Sequence, residues 1–336
     1  MDLAEVREAL CGVMFDRAHD DGSYAPLLIR FAWHCCGTYD RRAANGGPDG
    51  GTMRFGTEQA DPENAGLSKA RALLQPVVER FSGQLSTADI WVLAGYCALE
   101  CTGGPTLRFR TGRADISEAR ARAVHGPSCC PFGDGAHNPH GSRLPAADLG
   151  PCPVAGAAAA DPAQREAATI DAVRQTFARM GFDDRETVCL ILFGHQFGRA
   201  HPEVSGYRGA WYVNSPATWN SEGEGTTTRG MGFLDVFAKY WREYAPIQLG
   251  QPDGTTRRQF QLEYMGLQWT ALVADMALVW DDAFRAHVEF YAAHREVFKR
   301  DAAACWVRLT ELGCAEGQLV SETTDLGEEE YTDHHQ

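Results

Sequence analysis

Eight segments of this chain carry apolar residues at the three- and four-residue spacing of an amphipathic helix. Strands would show strict alternation of apolar and polar residues, and long stretches of alternation are scarce. The sequence therefore predicts a mainly α fold. The predicted helical segments are residues 4–15, 24–37, 66–81, 87–101, 165–181, 186–199, 231–244 and 282–311.

The helical pattern is interrupted once over a long distance. Residues 126–163 are rich in Gly, Pro, Ala, Cys and His and have no period, which predicts a loop or insertion. We expect a first helical lobe at 1–125 and a second at 164–320. Residues 321–336 are acidic and aperiodic, which is typical of a mobile tail.

Charge and cysteine content narrow the class of protein. The net charge of −14 argues against nucleic-acid binding and favours a basic partner met through an acidic face. Several of the 11 cysteines, among them Cys97, Cys101 and Cys189, lie in apolar runs, which predicts buried free thiols rather than a disulfide framework.

No feature of the sequence predicts a membrane protein. No apolar run approaches the roughly 20 residues that cross a bilayer, and residues 1–5 lack the pattern of a secretion signal. We expect a soluble protein without a membrane partner. An organelle presequence could have been removed before residue 1. The sequence is therefore compatible with a protein of the mitochondrion, the plastid or the cytoplasm.

Three polar side chains share one face of the apolar segment 25–34. Arg30, Trp33 and His34 stand at positions i, i+3 and i+4. Peroxide cleavage needs a base that moves a proton between the two oxygens and a fixed positive charge beside the developing hydroxide. His34 and Arg30 are the residue types for these roles. Taken alone, the pair is better explained as a hydrogen-bonded core histidine and a surface arginine.

The residues that follow change this interpretation. After Arg30-Phe-Ala-Trp-His34 come Gly-Thr-Tyr-Asp at 37–40 and Gly-Gly-Pro-Asp-Gly-Gly-Thr-Met-Arg-Phe at 46–55. This order resembles the class I haem peroxidases, which include cytochrome c peroxidase and ascorbate peroxidase. The resemblance runs from residue 23 to about 313, apart from 115–163. It implies a two-lobed helical fold with one haem b between distal and proximal lobes. It also implies that hydrogen peroxide is reduced to water through an oxyferryl intermediate.

The resemblance assigns supporting residues on the distal side. The Asn64 side-chain oxygen would accept a hydrogen bond from the second ring nitrogen of His34, which fixes the tautomer and leaves the other nitrogen as base. Glu58 belongs to the same matched segment and is predicted to support the site. An alternative for Asn64 is that it caps the helix predicted from residue 66.

The resemblance also assigns the proximal side. His195 matches the iron ligand, Asp275 the carboxylate on its ring N–H, and Trp211 the tryptophan that bonds to the same carboxylate. This chain lacks the family's proline before the aspartate. A role for Asp275 as a helix cap is the alternative. Arg199 and His201 match residues that contact the haem propionates, and the alternative for both is a place on the surface of a helix end.

The electron donor is predicted from residues that are absent. Ascorbate peroxidases bind ascorbate through an arginine and a lysine, and this chain has Val204 and Gly22 at those positions. They also have a site for a bound cation near the tryptophan, where this chain has Gln196 and Tyr212. These differences favour cytochrome c as donor, with Trp211 relaying electrons. Ascorbate or a small phenol is the alternative.

Three other functions fit the sequence less well. A haem-binding redox sensor with little turnover would not need the acid–base pair. A catalase-peroxidase would need a much longer chain. A zinc site in the insertion has unfavourable ligand spacing, because two of its cysteines are adjacent. Its candidate ligands are His125, Cys129, Cys130, His137 and His140.

Overall fold

A computed structural model of the chain describes residues 3–20, 22–125, 143–145, 162–211, 232–252, 254 and 256–322. Within these ranges the structure is mainly helical, as predicted. The helices are α1 (Ala4–Gly12), α2 (Ala25–Cys36), α3 (Gly56–Gln59), α4 (Leu67–Arg80), α5 (Thr87–Cys101), α6 (Glu118–His125), α7 (Pro162–Met180), α8 (Asp184–Gly194), α9 (Pro202–Ser205), α10 (Phe233–Tyr240), α11 (Val273–Trp280), α12 (Asp282–Ala293) and α13 (Arg295–Thr310).

Helices α2 and α5 pack together in the core. Nearly every residue of α5 is buried, and its N-terminus is capped by Ser86, whose side chain accepts from the Asp89 amide. A Cβ at Gly95 would lie 2.6 Å from the Ala32 Cβ, so glycine allows the two helix backbones to approach. Both helices match the predicted segments to within a residue, because apolar periodicity and terminal signals agree.

A three-stranded antiparallel sheet follows α10, and the sequence did not predict it. Its strands are β4 (Ala245–Gly250), β5 (Thr256–Tyr264) and β6 (Leu267–Leu272), in the order β4-β5-β6. The nine-residue β5 lacks a clean alternation of buried and exposed residues, because Gln259 and Phe260 are both buried. Gln259 bonds to the backbone of Arg208 at 3.0 and 2.8 Å. The other strands are β1 (Arg110–Thr111), β2 (Arg199–Ala200), β3 (Gly209–Ala210) and β7 (Val320–Ser321).

Four predicted helices have clearly different limits in the structure. The helices predicted at 4–15 and 231–244 are shorter, Ala4–Gly12 and Phe233–Tyr240. The helix predicted at 186–199 ends at Gly194, and the chain then turns through Gly198, whose φ is 75°, into β2. The helix predicted at 282–311 is two helices, since His294 between α12 and α13 has non-helical angles of −132° and 67°. Helices α3, α6, α9 and α11 were missed altogether.

The start of the predicted acidic tail belongs to the fold. Residues 320–321 pair with β1, and Glu322 is buried, where its carboxylate accepts from Arg7 at 2.9 Å and the Phe109 amide at 3.0 Å. Residues 323–336 and most of the predicted insertion lie outside the described residues. The predicted zinc ligands beyond residue 125 lie there too. The division into lobes at 1–125 and 164–320 stays a prediction.

Neither a membrane-spanning helix nor a metal-binding cluster is found in the part of the chain that the structure describes. No helix there is long and apolar enough to cross a bilayer. No group of three or more His, Cys, Asp or Glu side chains there is arranged to hold a metal ion.

Candidate active site

Helix α2 presents the first group of predicted site residues. Pro26 stands in its first turn, where the missing N–H costs no helical hydrogen bond. Most of the apolar residues of α2 are buried against the core. Arg30 and Trp33 are half-buried and His34 is buried. The Trp33 ring stacks on Phe177 of α7, with centroids 5.4 Å apart.

Asn64 fixes the orientation of the His34 ring. Its side-chain nitrogen donates to the Glu58 carbonyl at 2.9 Å, so the amide oxygen faces His34 Nδ1, 3.0 Å away. An amide oxygen only accepts, so Nδ1 must carry the proton and Nε2 is left as the basic nitrogen. The helix-cap alternative for Asn64 is wrong, since α4 begins after Gly66.

Burial and charge keep the His34 ring neutral. Removal from water lowers its pKa well below the ordinary value of 6.5, and the positive charge of Arg30 lowers it further. The hydrogen bond with Asn64 acts in the opposite direction and is the smaller effect. A neutral imidazole with a free Nε2 is the form that can accept a proton.

Backbone carbonyls hold Arg30 in place. Its guanidinium donates to the Ala65 carbonyl at 3.0 Å and the Glu63 carbonyl at 2.8 Å. Burial lowers the pKa of Arg30 to about 10, which still leaves the side chain charged at neutral pH. The loop before α4 therefore orients both Arg30 and, through Asn64, His34.

Glu58 is a buried carboxyl beneath this loop. It is 2% exposed, and its Oε2 has no hydrogen-bond partner among the described residues. Burial raises its pKa to about 7, against a hydrogen bond with Thr52 that lowers it. Its contact with the site is indirect, through the backbone carbonyl that orients Asn64.

A second group of predicted residues meets around a buried carboxylate. Asp275 Oδ1 lies 2.6 Å from His195 Nδ1, and Oδ2 accepts from Trp211 Nε1 at 2.8 Å. The rings of His195 and Trp211 stack with centroids 4.6 Å apart. Asp275 is fully buried, whereas the His195 side chain retains 30% of its exposure.

Asp275 also begins a helix. It is the third residue of α11, and Oδ2 accepts from the Leu272 amide at 2.7 Å. Both readings of Asp275, carboxylate partner and helix cap, therefore hold together. The backbone bond fixes the carboxylate even though Val273 stands where a proline was expected.

The segment after His195 contacts the start of α2 and the loop before it, and these contacts connect the His34 group to the His195 group. A Cβ at Gly198, three residues after His195, would lie 2.6 Å from the Pro26 Cβ at the start of α2. His201 Nε2 lies 2.9 Å from a carboxylate oxygen of Asp20, in the loop before α2. Arg199 is exposed on β2.

The Asp20–His201 pair was not predicted. Asp20 has a positive φ of 41° and lies in an aperiodic loop, so no local signal marks it. Gln259, which holds the Arg208 backbone three residues before Trp211, was also missed, because a glutamine within a strand carries no functional signal.

Comparison with known proteins decides the family. A sequence model of the Peroxidase family matches residues 10–294. The chain belongs to the peroxidase family. The resemblance predicted from the sequence is thereby confirmed, and with it an oxidoreductase that uses hydrogen peroxide.

Curated relatives of this peroxidase cover most of its length. It is 35% identical to a mitochondrial cytochrome c peroxidase of Aspergillus fumigatus, over 96% of this chain and 75% of the relative. It is 34% identical to a protein of Mycosarcoma maydis named "Putative heme-binding peroxidase", over 93% of this chain and 79% of that protein. A protein of the same name from Pyricularia oryzae is 33% identical, over 95% of this chain and 91% of that protein.

Proposed function

We propose that this peroxidase binds one haem b per chain through His195 and reduces hydrogen peroxide to water with Arg30 and His34. The observation that carries the proposal is the hydrogen-bond pattern of the two histidines. Asn64 leaves His34 with a free basic nitrogen, whereas Asp275 occupies the Nδ1 side of His195 and leaves Nε2 to coordinate a metal.

The residues present fit a haem. His195 is a neutral-donor ligand backed by a carboxylate, which is the usual support of an iron-bound imidazole. Its half-exposed ring and the half-buried Arg30 and Trp33 leave side-chain surface for a planar group. Arg199 and His201 stand after His195 and would contact the propionates. When bound, haem would supply the redox chemistry that breaks the O–O bond.

His34 and Arg30 divide the acid–base work. Nε2 of His34 would take the proton from one peroxide oxygen and return it to the other, which then leaves as water. Arg30, held by two carbonyls, would stabilise negative charge on the leaving oxygen without reorganising. Asp275, by accepting from His195 Nδ1, would raise the electron-donating power of that ring.

The pH dependence of the peroxide reaction tests the state of His34. The neutral ring is the base and its pKa lies below 6.5, so we expect the second-order rate constant with peroxide to stay level from about pH 8 to 6.5 and to fall only in more acidic solution. Stopped-flow absorbance across this range measures it. Glu58→Gln is the control, because Glu58 titrates near pH 7. A midpoint at or above pH 7 in both proteins would contradict the argument.

Cytochrome c is the donor that we propose. Three observations support it: the cytochrome c peroxidase relative, the acidic chain, and Trp211 stacked on His195 and bonded to Asp275. A basic haem protein would be steered by the acidic surface. The indole of Trp211 would then pass electrons to the haem.

One observation favours a small anionic donor instead. Val204 and Gly22 supply no charge, but Lys69 of α4 brings an ammonium within 3.3 Å of His19 Nδ1. The His19 ring in turn stacks on His201 with centroids 6.2 Å apart. The ammonium of Lys69 thus lies near His19 and His201, in a region where the sequence predicted no cation for binding ascorbate. Ascorbate or an acidic phenol is the alternative donor on this ground.

A Trp211→Phe variant separates the donors. We expect its turnover with ferrous cytochrome c to fall sharply, because the proposed electron relay is removed. Turnover with ascorbate should change little, because Asp275 still accepts from His195 Nδ1. Steady-state assays of the haem-loaded wild type and variant at equal peroxide measure both. Lys69→Glu is the matched test of the alternative. If it raises the KM for ascorbate and ascorbate is the better donor of the wild type, the cytochrome c proposal fails.

A further inference from the structure

Three thiols meet where α1 packs on the end of α5. Cys11 lies in the last turn of α1, and Cys97 and Cys101 stand one turn apart on α5. The Cys101 thiol donates to Cys11 Sγ at 3.3 Å. Cys11 and Cys101 are half-buried and therefore reachable from solvent, whereas Cys97 is fully buried. The cluster lies where α5 contacts α1, whereas Arg30 and His34 lie on α2. None of the three thiols has a role in the proposed peroxidase reaction.

The three thiols have unequal acidity. Hydrogen bonds from Cys101 and Cys97, together with the charge of Arg7, hold the pKa of the Cys11 thiol well below its ordinary range. The same bond to Cys11, and then burial, raise the pKa of Cys101. These directions make Cys11 the more acidic thiol of the pair with Cys101, and thiolates are the forms that peroxide oxidises.

We propose that Cys11 and Cys101 are a peroxide-responsive pair that forms a disulfide between α1 and α5. The Cys11 thiolate attacks one peroxide oxygen, the O–O bond breaks, and with one proton the products are a sulfenic acid and water. The Cys101 thiol then displaces the hydroxyl as a second water, and the S–S bond forms. Hydrogen peroxide, the substrate of the enzyme, accepts the two electrons, so no other oxidant is needed.

The neighbouring geometry favours this pair. The two sulfurs are already in contact, and helix ends can supply the small approach that a bond of about 2.05 Å requires. Arg7 is anchored by Glu100 at 2.6 Å and by Glu322 at 2.9 Å, which keeps its charge beside Cys11. The reaction involves only thiols and peroxide, so it does not depend on the roles proposed for His34 and His195.

The bond would fasten α1 to the core. α5 packs against α2, which carries Arg30 and His34, so the cross-link ties the N-terminal helix to the distal half of the site. It closes a loop from residue 11 to residue 101, and long closed loops reduce the entropy of the unfolded chain most. We expect the oxidised protein to melt about 5 °C higher than the reduced one.

A second thiol pair provides the internal control. Cys189 and Cys305 also interact, but both are buried, and burial followed by the hydrogen bond with Cys305 raises the pKa of Cys189. Interaction between the two thiols is therefore common to both pairs, whereas of these four thiols only Cys11 is both half-buried and shifted to a lower pKa. Peroxide should oxidise the first pair and leave the second reduced.

The test is a map of disulfides after exposure to peroxide. The full haem-loaded chain is treated with excess hydrogen peroxide, free thiols are blocked with N-ethylmaleimide, and the unreduced digest is analysed by mass spectrometry. We expect a linked peptide pair containing Cys11 and Cys101, two fewer maleimide adducts, and the higher melting temperature. Cys11→Ser and Cys101→Ser should lose all three signals without loss of peroxidase turnover, and Cys305→Ser should keep them.

Three results would overturn the proposal. They are a link from Cys11 to Cys97, oxidation of Cys11 without any link, and oxidation of the Cys189–Cys305 pair at the same rate. The melting measurement guards against a cross-link that forms only during digestion, because such a link would leave the melting temperature of the intact protein unchanged.

Discussion

Replacement of His34 by leucine is expected to slow the reaction of the haem-loaded enzyme with hydrogen peroxide by about 10²–10⁴-fold, the range that general acid–base catalysis contributes. Leucine fills a similar volume in the buried site but cannot accept a proton. Arg30 keeps its two carbonyl partners, so the positive charge that stabilises the leaving oxygen remains. The loss therefore isolates proton transfer by Nε2. Stopped-flow absorbance at several peroxide concentrations gives the rate constant.

The matched control is a second histidine-to-leucine change far from the site. His294, between α12 and α13, is exposed, and its Nδ1 bonds only locally, to the Phe290 carbonyl at 2.9 Å. His294→Leu should react with peroxide at the wild-type rate. A His34→Leu enzyme that reacts within a few-fold of wild type would show that another group moves the proton. The buried carboxyl of Glu58 would then be the next group to test, because its pKa of about 7 suits proton transfer.

The sequence predicted the helices that carry the site better than the sheet beside it. In α2 and α5, apolar periodicity, Pro26 and the Ser86 cap all agree, and each signal is local. In β5 the alternation fails because Gln259 is buried, and its burial is compensated by bonds to Arg208, some fifty residues away. Sequence patterns do not reveal a polar residue whose partner is so distant.

The orientation of site residues depends on contacts that no motif contains. The resemblance implied that the Asn64 oxygen faces His34, but the contact that fixes this orientation, the bond from the Asn64 side-chain nitrogen to the Glu58 carbonyl, is visible only in the structure. The end of α8 after Gly194 likewise depends on Gly198 passing close to Pro26, a contact between opposite ends of the site. The resemblance identifies these residues and their bonds to one another, whereas the backbone contacts that hold them in place require the fold.

Replacement of Asp275 by alanine is expected to reduce both stability and turnover. Three donors lose their acceptor: the buried Leu272 amide, the buried Trp211 Nε1 and the half-buried His195 Nδ1. At about 1–3 kcal/mol for each of the two buried unsatisfied groups, the free energy of unfolding should fall by roughly 2–6 kcal/mol. Turnover of the haem-loaded enzyme should fall by about 10–100-fold, because the imidazole loses the partner that orients it. Thermal unfolding and steady-state peroxide turnover measure the two effects.

Asp89→Ala separates lost stability from lost function. Asp89 is also a buried carboxylate with three donors, since it accepts from the Gly112 amide at 2.8 Å and from the amide and guanidinium of Arg113 at 3.2 and 2.8 Å. Its removal should destabilise the fold at least as much, because the buried Arg113 loses its counter-charge. Assayed well below both melting temperatures, the Asp89 variant should keep wild-type turnover per folded molecule. Equal turnover in the two variants would mean that Asp275 only supports the start of α11, and the proposed support of His195 would be wrong.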